Sequence, residues 1–160
     1  MTTKNNANVP VVTIAADDAG GETAQRLIQD LCAELSKRYD NPPSPFVASD
    51  TSVPRSLFLI ARVDGEPAGC GALRRIDDTT GEIKRMYVAP AGRRRGVARR
   101  ILAELERVAA EFGYRAVRLE TGIYQAEAIA LYESSGYRRI PAFGHYVGSA
   151  ISVCYEKLVG

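Results

Sequence analysis

The stretch from Glu82 to Gly113 limits the fold more than any other part of the chain. A strand-like run ends at Val88, Pro90 follows, and a turn then carries Arg93, Arg94, Arg95 and Gly96. A helical pattern opens at Val97. Its apolar face is Val97, Ile101, Leu105, Val108 and Phe112, and Gly113 stands where a helix stop belongs. A strand that passes through a short turn into such a helix aims several backbone N–H groups and a helix N-terminus at one point, an arrangement that holds anions. The arginines add forked donors suited to phosphate. The turn is therefore expected to hold a phosphorylated ligand.

The flanking pattern predicts strands first and helices after. Residues 1–8 are polar and read as a disordered tail, and residues 9–160 as one domain. Val9 to Ala15 reads as a strand. Asp17, Asp18 and Gly20-Gly21 open a helix to about Arg38, with Leu27, Ile28, Leu31 and Leu35 as its stripe. Residues 41–54 hold four prolines and read as a loop. Strands are expected over 56–63, 67–75 and 82–88, joined by Asp64-Gly65 and by the turn at 77–81. After the helix at 97–112 come a strand at 116–120, a helix at 126–134 stopped by Gly136, a short strand at 137–140, and a last strand at 151–157. An antiparallel meander to which helices return further strands implies an α+β fold: a mixed, mostly antiparallel central sheet of six to seven strands flanked by helices.

Composition excludes several classes. A net charge of +2 is too small to argue for a nucleic-acid partner, although Arg93, Arg94, Arg95, Arg99 and Arg100 lie close together. A nucleic-acid module built on that cluster would also need base-reading elements. The chain shows no RNP aromatics, zinc pairs or helix-turn-helix pattern. Cys32, Cys70 and Cys154 are odd in number and form no CxxC pair, so no metal site is expected and reduced thiols in a cytoplasmic protein are. No apolar run is long enough to span a bilayer, and no secretory h-region opens the chain, so no membrane partner is expected.

Neither GxxxxGK[ST] nor a GxGxxG after the first strand is present, which argues against a Walker-type or dinucleotide site. Arg93-Arg94-Arg95-Gly96-Val97-Ala98 instead resembles the Q/R-x-x-G-x-G/A signature of the GNAT (Gcn5-related) N-acetyltransferases. Met86-Tyr87-Val88-Ala89-Pro90 is similar to that family's fourth strand, and Ala130 to Tyr137 (ALYESSGY) to its A-L-Y-x-x-x-G-F/Y segment. Arg94 stands where many members have Gly, and Gln125 near where many have Asn.

The resemblance implies a GNAT-like domain over 9–160 that uses acetyl-CoA to acetylate a primary amine, most readily of a small molecule, in a ternary complex. Protein lysines or N-termini are the alternative acceptors, and a non-catalytic acyl-CoA sensor is another. A homodimer is compatible with it. Carried over by position, the pyrophosphate belongs on Arg93, Arg94, Arg95, Gly96, Val97 and Ala98, with Arg99 toward the outer phosphates. The pantetheine arm would pair with the strand around Met86, Tyr87 and Val88, and Gln125 would touch that arm. Gln125 reads equally as an ordinary first-turn helix residue. Tyr132 would be the general acid for the thiolate. Glu82 would be the base, against the plainer reading of a strand-edge charge near Lys84. Glu120, at the end of the fifth strand, is a second carboxylate for the acceptor. Phe143 and Tyr146 lie in an aromatic loop and could wall the acceptor pocket or simply cap the core, while His145 between them suits proton transfer or reads as a plain polar surface residue. Cys70, inside a strand, reads as core and not as a nucleophile.

Overall fold

Asp64 and Gly65 both adopt left-handed backbone (φ 50° and 85°) and make the hairpin turn that the sequence announces. They join β2 (Leu57–Val63) to β3 (Glu66–Arg75), and β3 turns back into β4 (Thr80–Val88). The computed structural model describes residues 9–39 and 51–160. The expected tail over 1–8 and most of the expected loop over 41–54 lie outside the described residues. Before β2 come β1 (Val12–Asp17) and α1 (Glu22–Arg38). After β4 come α2 (Val97–Glu111), β5 (Ala116–Gly122), α3 (Ala126–Ser134), β6 (Arg138–Ile140) and β7 (Ser152–Leu158).

The seven strands form one sheet in the order β1-β2-β3-β4-β5-β7-β6. Every pairing is antiparallel except β4 with β5. That parallel pair needs a crossover, and α2 supplies it. β1 sits three residues later than the sequence suggests. Its place is set by pairing, Val12 opposite Val63 through Asp17 opposite Phe58, and the Val11 N–H donates to Asp64 Oδ1 at 2.9 Å. Asp17 therefore ends a strand, and α1 starts only at Glu22.

The sheet is covered on both faces. Leu27, Ile28 and Leu31 of α1 pack on Phe58, Ile60, Cys70, Ala72 and Tyr87. On the opposite face Val97, Ile101, Leu102 and Leu105 of α2 pack with Leu59, Leu73, Ile83, Val117 and Leu119, and Tyr132 of α3 joins them. Burying each such aliphatic side chain contributes about 1.5–3 kcal/mol. Gly71 lets α2 approach, since a Cβ there would meet Ile101 Cγ2 at 2.8 Å and Leu105 Cδ1 at 2.9 Å. Among the described residues, no helix is long and apolar enough to cross a membrane.

Candidate active site

β4 and β5 stay paired only from Thr80–Ala116 to Ile83–Leu119, and beyond Ile83 they part. The cause lies in β4. Arg85 has a positive φ of 57°, and its register with β3 shifts there, so that Lys84 opposes Ala72 while Tyr87 opposes Cys70. This is a β-bulge, which bends the strand and strengthens its twist. Cys70 Sγ donates to the bulged Arg85 carbonyl at 3.2 Å. Past the bulge β4 keeps β3 on one edge and has no strand on the other. Two clefts open along that free edge, each of about 370 Å³.

The first cleft runs from β4 over the turn to α2. Met86, Tyr87, Val88, Arg93, Arg94, Gly96, Val97, Ala98, Arg99 and Gln125 all line it, together with Leu31, Glu34, Leu35 and Arg38 of α1. Arg95, expected here as well, is exposed and outside the lining. The turn is shaped by two left-handed residues, Arg94 (φ 63°) and Gly96 (φ 72°). A glycine at position 94 would adopt this conformation without strain. Gly96 is the N-cap of α2, and no side chain caps that helix N-terminus. A Cβ on Gly96 would meet nothing within 4 Å, so the cradle in front of the first helical turn is open. Its first-turn N–H groups and the positive end of the helix dipole suit a diphosphate.

Arg93, Arg99 and Arg100 are already engaged. Arg93 donates from Nε to the Val88 carbonyl at 2.9 Å and from its terminal nitrogen to Glu34 Oε2 at 2.7 Å. The Val88 carbonyl expected to pair with a ligand arm thus already accepts a bond. Arg99 donates to Ser134 Oγ at 2.9 Å, and Arg100 turns away to the Val12 carbonyl. Arg38 reaches Glu34 at 3.3 Å and Glu127 at 3.6 Å. A chain of charges, Glu127–Arg38–Glu34–Arg93, therefore crosses from α3 over α1 to the turn.

The second cleft lies where β4 and β5 diverge. Glu120, Tyr132, His145 and Tyr146 line it, with Tyr39, Lys84, Arg85, Met86, Gln125, Ser149 and Ser152. Tyr39, at the end of α1, arches over it. Its ring lies 5.3 Å from that of Tyr124, and its hydroxyl accepts the Tyr124 N–H at 3.1 Å. Gln125 caps the same loop, its Oε1 accepting the Gly122 N–H at 2.9 Å. Phe143 does not line the cleft. It packs edge-on against Tyr146 at 5.3 Å and lies under the Arg118 guanidinium.

Tyr132 lines both clefts, as do Met86, Gln125 and Ala128. Local sequence holds it there. Gly136 takes φ 91° as the C′ residue of α3. The Tyr137 N–H then returns to the Tyr132 carbonyl at 3.1 Å, and that of Gly136 to Glu133 at 3.3 Å. This is a Schellman ending, which brings the residue after the glycine against the last turn of the helix. The Tyr137 ring meets that of Tyr132 edge-on at 5.8 Å, and Tyr155 packs at 6.3 Å. Burial, then the Glu120 charge, push the Tyr132 phenol well above its ordinary range, so it keeps its proton across neutral pH.

The two carboxylates differ. Glu82 is fully buried. Arg74 stands opposite it on β3 and Arg118 opposite it on β5, and Arg118 in turn faces Glu156 on β7. One rung of the sheet thus alternates in charge across four strands. Glu82 Oε1 accepts from Arg74 Nε at 2.7 Å and Oε2 from the Tyr146 hydroxyl at 2.8 Å. Expected to face the acceptor, Glu82 instead lies outside the lining of either cleft, with its carboxylate held between Arg74 and Tyr146. Glu120 lies two residues beyond Arg118, past the point of divergence, and lines the cleft. Burial raises its carboxyl above the usual range, the Ser152 hydroxyl opposes that shift, and the Glu82 charge adds to it. Tyr146 is raised mainly by burial and by its bond to Glu82. Cys70 is buried outside both linings, with its thiol pushed up to about 12 by burial. Among the described residues, no group of three His, Cys, Asp or Glu side chains is placed to hold a metal.

Lys84, Arg85, Tyr39, Ser149, Ser152 and Glu34 line the clefts without having been singled out in the sequence. No motif marks them. They arrive through a bulge, a helix end and a strand pairing.

Residues 24–137 match the Acetyltransferase (GNAT) family. An IAA acetyltransferase of Azospirillum brasilense is 37% identical over 152 residues, which cover 93% of this chain and 99% of that protein. A solved chain of Klebsiella pneumoniae, assigned to the acyl-CoA N-acyltransferases, superposes with a TM-score of 0.80 at 32% identity, covering 94% of this chain and 99% of its own. A GNAT family acetyltransferase of Elizabethkingia anophelis, solved with acetyl-CoA bound, shares the fold at a TM-score of 0.67 and 20% identity over 92% of this chain and 97% of its own.

Proposed function

Since the chain belongs to the acetyltransferase (GNAT) family, we propose that it moves an acetyl group from acetyl-CoA to the primary amine of a small molecule, by direct transfer while both are bound. The observation that carries this is the shared wall of the two clefts, where Tyr132, Met86, Gln125, Ala128, Leu31 and Leu35 line both. A thioester laid along the first cleft reaches the second at that wall. The first cleft fits a nucleotide diphosphate: an uncapped helix N-terminus, an open glycine and a ring of arginines. Bound there, acetyl-CoA supplies an activated acetyl carbon and a thiolate leaving group.

The chain's own groups then divide the work. An unperturbed lysine-like amine has a pKa of ~10.4, so roughly one in 2,500 is neutral at pH 7, and a base is needed. Glu120 takes that proton, because it faces the cleft and burial raises its basicity. Tyr132, held protonated, gives its proton toward the thiolate. Backbone N–H groups on the free edge of β4 beyond the bulge offer donors for the developing oxyanion. Glu82 acts at one remove, fixing Tyr146 in the acceptor wall through their 2.8 Å bond. Direct transfer agrees with the burial of Cys70. A small acceptor agrees with the Tyr39 arch over the second cleft, and with the name of the Azospirillum relative.

A free-thiol assay with acetyl-CoA and a panel of L-aspartate, tyramine, putrescine and a lysine-containing peptide tests this. Turnover of at least one small amine well above the peptide is expected. Turnover of the peptide alone would move the proposal to a protein acceptor, and binding of acetyl-CoA without turnover of any amine would leave a sensor.

A further inference from the structure

Glu120 has a partner that the transfer itself does not use. Ser152 Oγ lies 3.1 Å from Glu120 Oε2 and 2.8 Å from Ser149 Oγ. The three oxygens form a continuous line. Glu120 and Ser152 are half-buried and Ser149 is exposed, so the line runs along the wall of the second cleft toward its wetter part. Strand pairing builds it. Glu120 faces Cys154 and Gly122 faces Ser152 across β5 and β7, which puts the serine on the diagonal from the glutamate, within reach of its longer side chain. Gly122 has no side chain to come between them. Ser149 is placed by its own N–H, which donates to the Tyr146 carbonyl at 3.0 Å.

We propose that Ser152 and Ser149 carry the acceptor's proton from Glu120 out to solvent. The relay rests on Glu120 taking that proton. Each serine has one hydroxyl hydrogen, so the line has two directions. With Glu120 ionised, Ser149 donates to Ser152 and Ser152 to the carboxylate. Once Glu120 holds the amine proton, it donates to Ser152, Ser152 to Ser149, and Ser149 to water. One proton enters at the carboxyl and one leaves at Ser149. Each hydroxyl gives one and receives one, and the carboxylate is restored. With an acceptor seated against Glu120, the exposed Ser149 is the end of the line nearer to water.

Other groups facing Glu120 set its charge without offering this exit. Lys84 and Arg85 on β4 favour its ionised form and Glu82 opposes it. Tyr132 of α3, Tyr146 of the loop and Cys154 of β7 feel its charge, and all three are raised by burial and protonated at neutral pH. His145 lies further along the same wall.

The test uses full-length protein, acetyl-CoA and the fastest amine of the panel above, followed from pH 5 to 9. Ser152→Ala is expected to lower kcat by roughly tenfold to a hundredfold. It should also move the acid limb to higher pH, since a hydroxyl that stabilises the carboxylate is gone. Ser149→Ala should lower kcat similarly and leave the acid limb in place. Ser152→Thr should restore both readings, and the double alanine variant should be no worse than the poorer single one, as expected for groups acting in series. The KM for acetyl-CoA and the thermal midpoint should hold in all four. Unchanged rates and profiles in the serine variants, beside a damaged Glu120→Gln, would overturn the relay and leave the base in place. An undamaged Glu120→Gln would overturn both.

Discussion

The two clefts share a wall and are built by opposite means. The first cleft, proposed for the cofactor, is floored by main chain: a free strand edge, a turn with two left-handed residues, and an uncapped helix N-terminus. Those main-chain parts lie within one stretch of sequence, α1 and α3 complete the walls, and the arginines add charge to a geometry that the backbone already has. The second cleft, proposed for the acceptor, is mostly side chain. β4, β5, β7, the end of α1 and the loop before β7 each contribute to it, and its chemistry depends on which strand faces which. A backbone site suits one constant ligand, because substitutions around it leave its donors in place. A side-chain site can be changed one residue at a time.

The contrast is most exposed where the clefts meet. Tyr132→Phe keeps the ring and its packing on Tyr137 and Tyr155 and removes only the hydroxyl with its proton. A loss in kcat of about a hundredfold or more is expected, with the KM for acetyl-CoA within about threefold. An equal rise in KM would place Tyr132 in cofactor binding instead.

On the acceptor side, Glu120→Gln should reduce kcat by roughly a hundredfold. The sign of the pH effect follows from the raised carboxyl. Only the ionised form accepts a proton, so wild-type activity should fall as pH drops through that raised value. The Gln variant should lose that limb. A limb that survives the substitution belongs to another group.

On the cofactor side, Gly96→Ala forces a Cβ onto φ 72°. Left-handed backbone costs an ordinary residue about 1–2 kcal/mol, so the Kd for CoA should rise by roughly tenfold. The kcat at saturating acetyl-CoA should change far less. The smallest effect should come from Glu34→Gln. Glu34 occupies Arg93 at 2.7 Å within the cleft that an anionic ligand would enter. Freeing the arginine should tighten CoA binding by a few-fold, with the gain shrinking at high salt. Weaker binding would mean that Glu34 positions Arg93 and does not compete for it.

Much of the fold was legible in the sequence, because its signals are short-range. The Asp64-Gly65 hairpin, the stripe of α2, and the stops at Gly113 and Gly136 depend on residues a few positions apart. The start of β1 was misplaced because an edge strand takes its register from its partner, here β2 and Asp64. Glu82 and Glu120 are both carboxylates on strands, and nothing near either of them in sequence separates them. One lies before the point where β4 and β5 part and is locked by Arg74 and Tyr146. The other lies after it and is open to the cleft.

By itself the sequence determined the strand–turn–helix unit, the basic cradle and the tyrosine at the end of α3, since each is settled by neighbours along the chain. The tertiary structure alone decided which carboxylate lines the second cleft, that Arg93 is held by Glu34, and that Ser152 touches Glu120. Those contacts join residues dozens of positions apart. They exist only once strand register and a single bulge have set which side chains share a face.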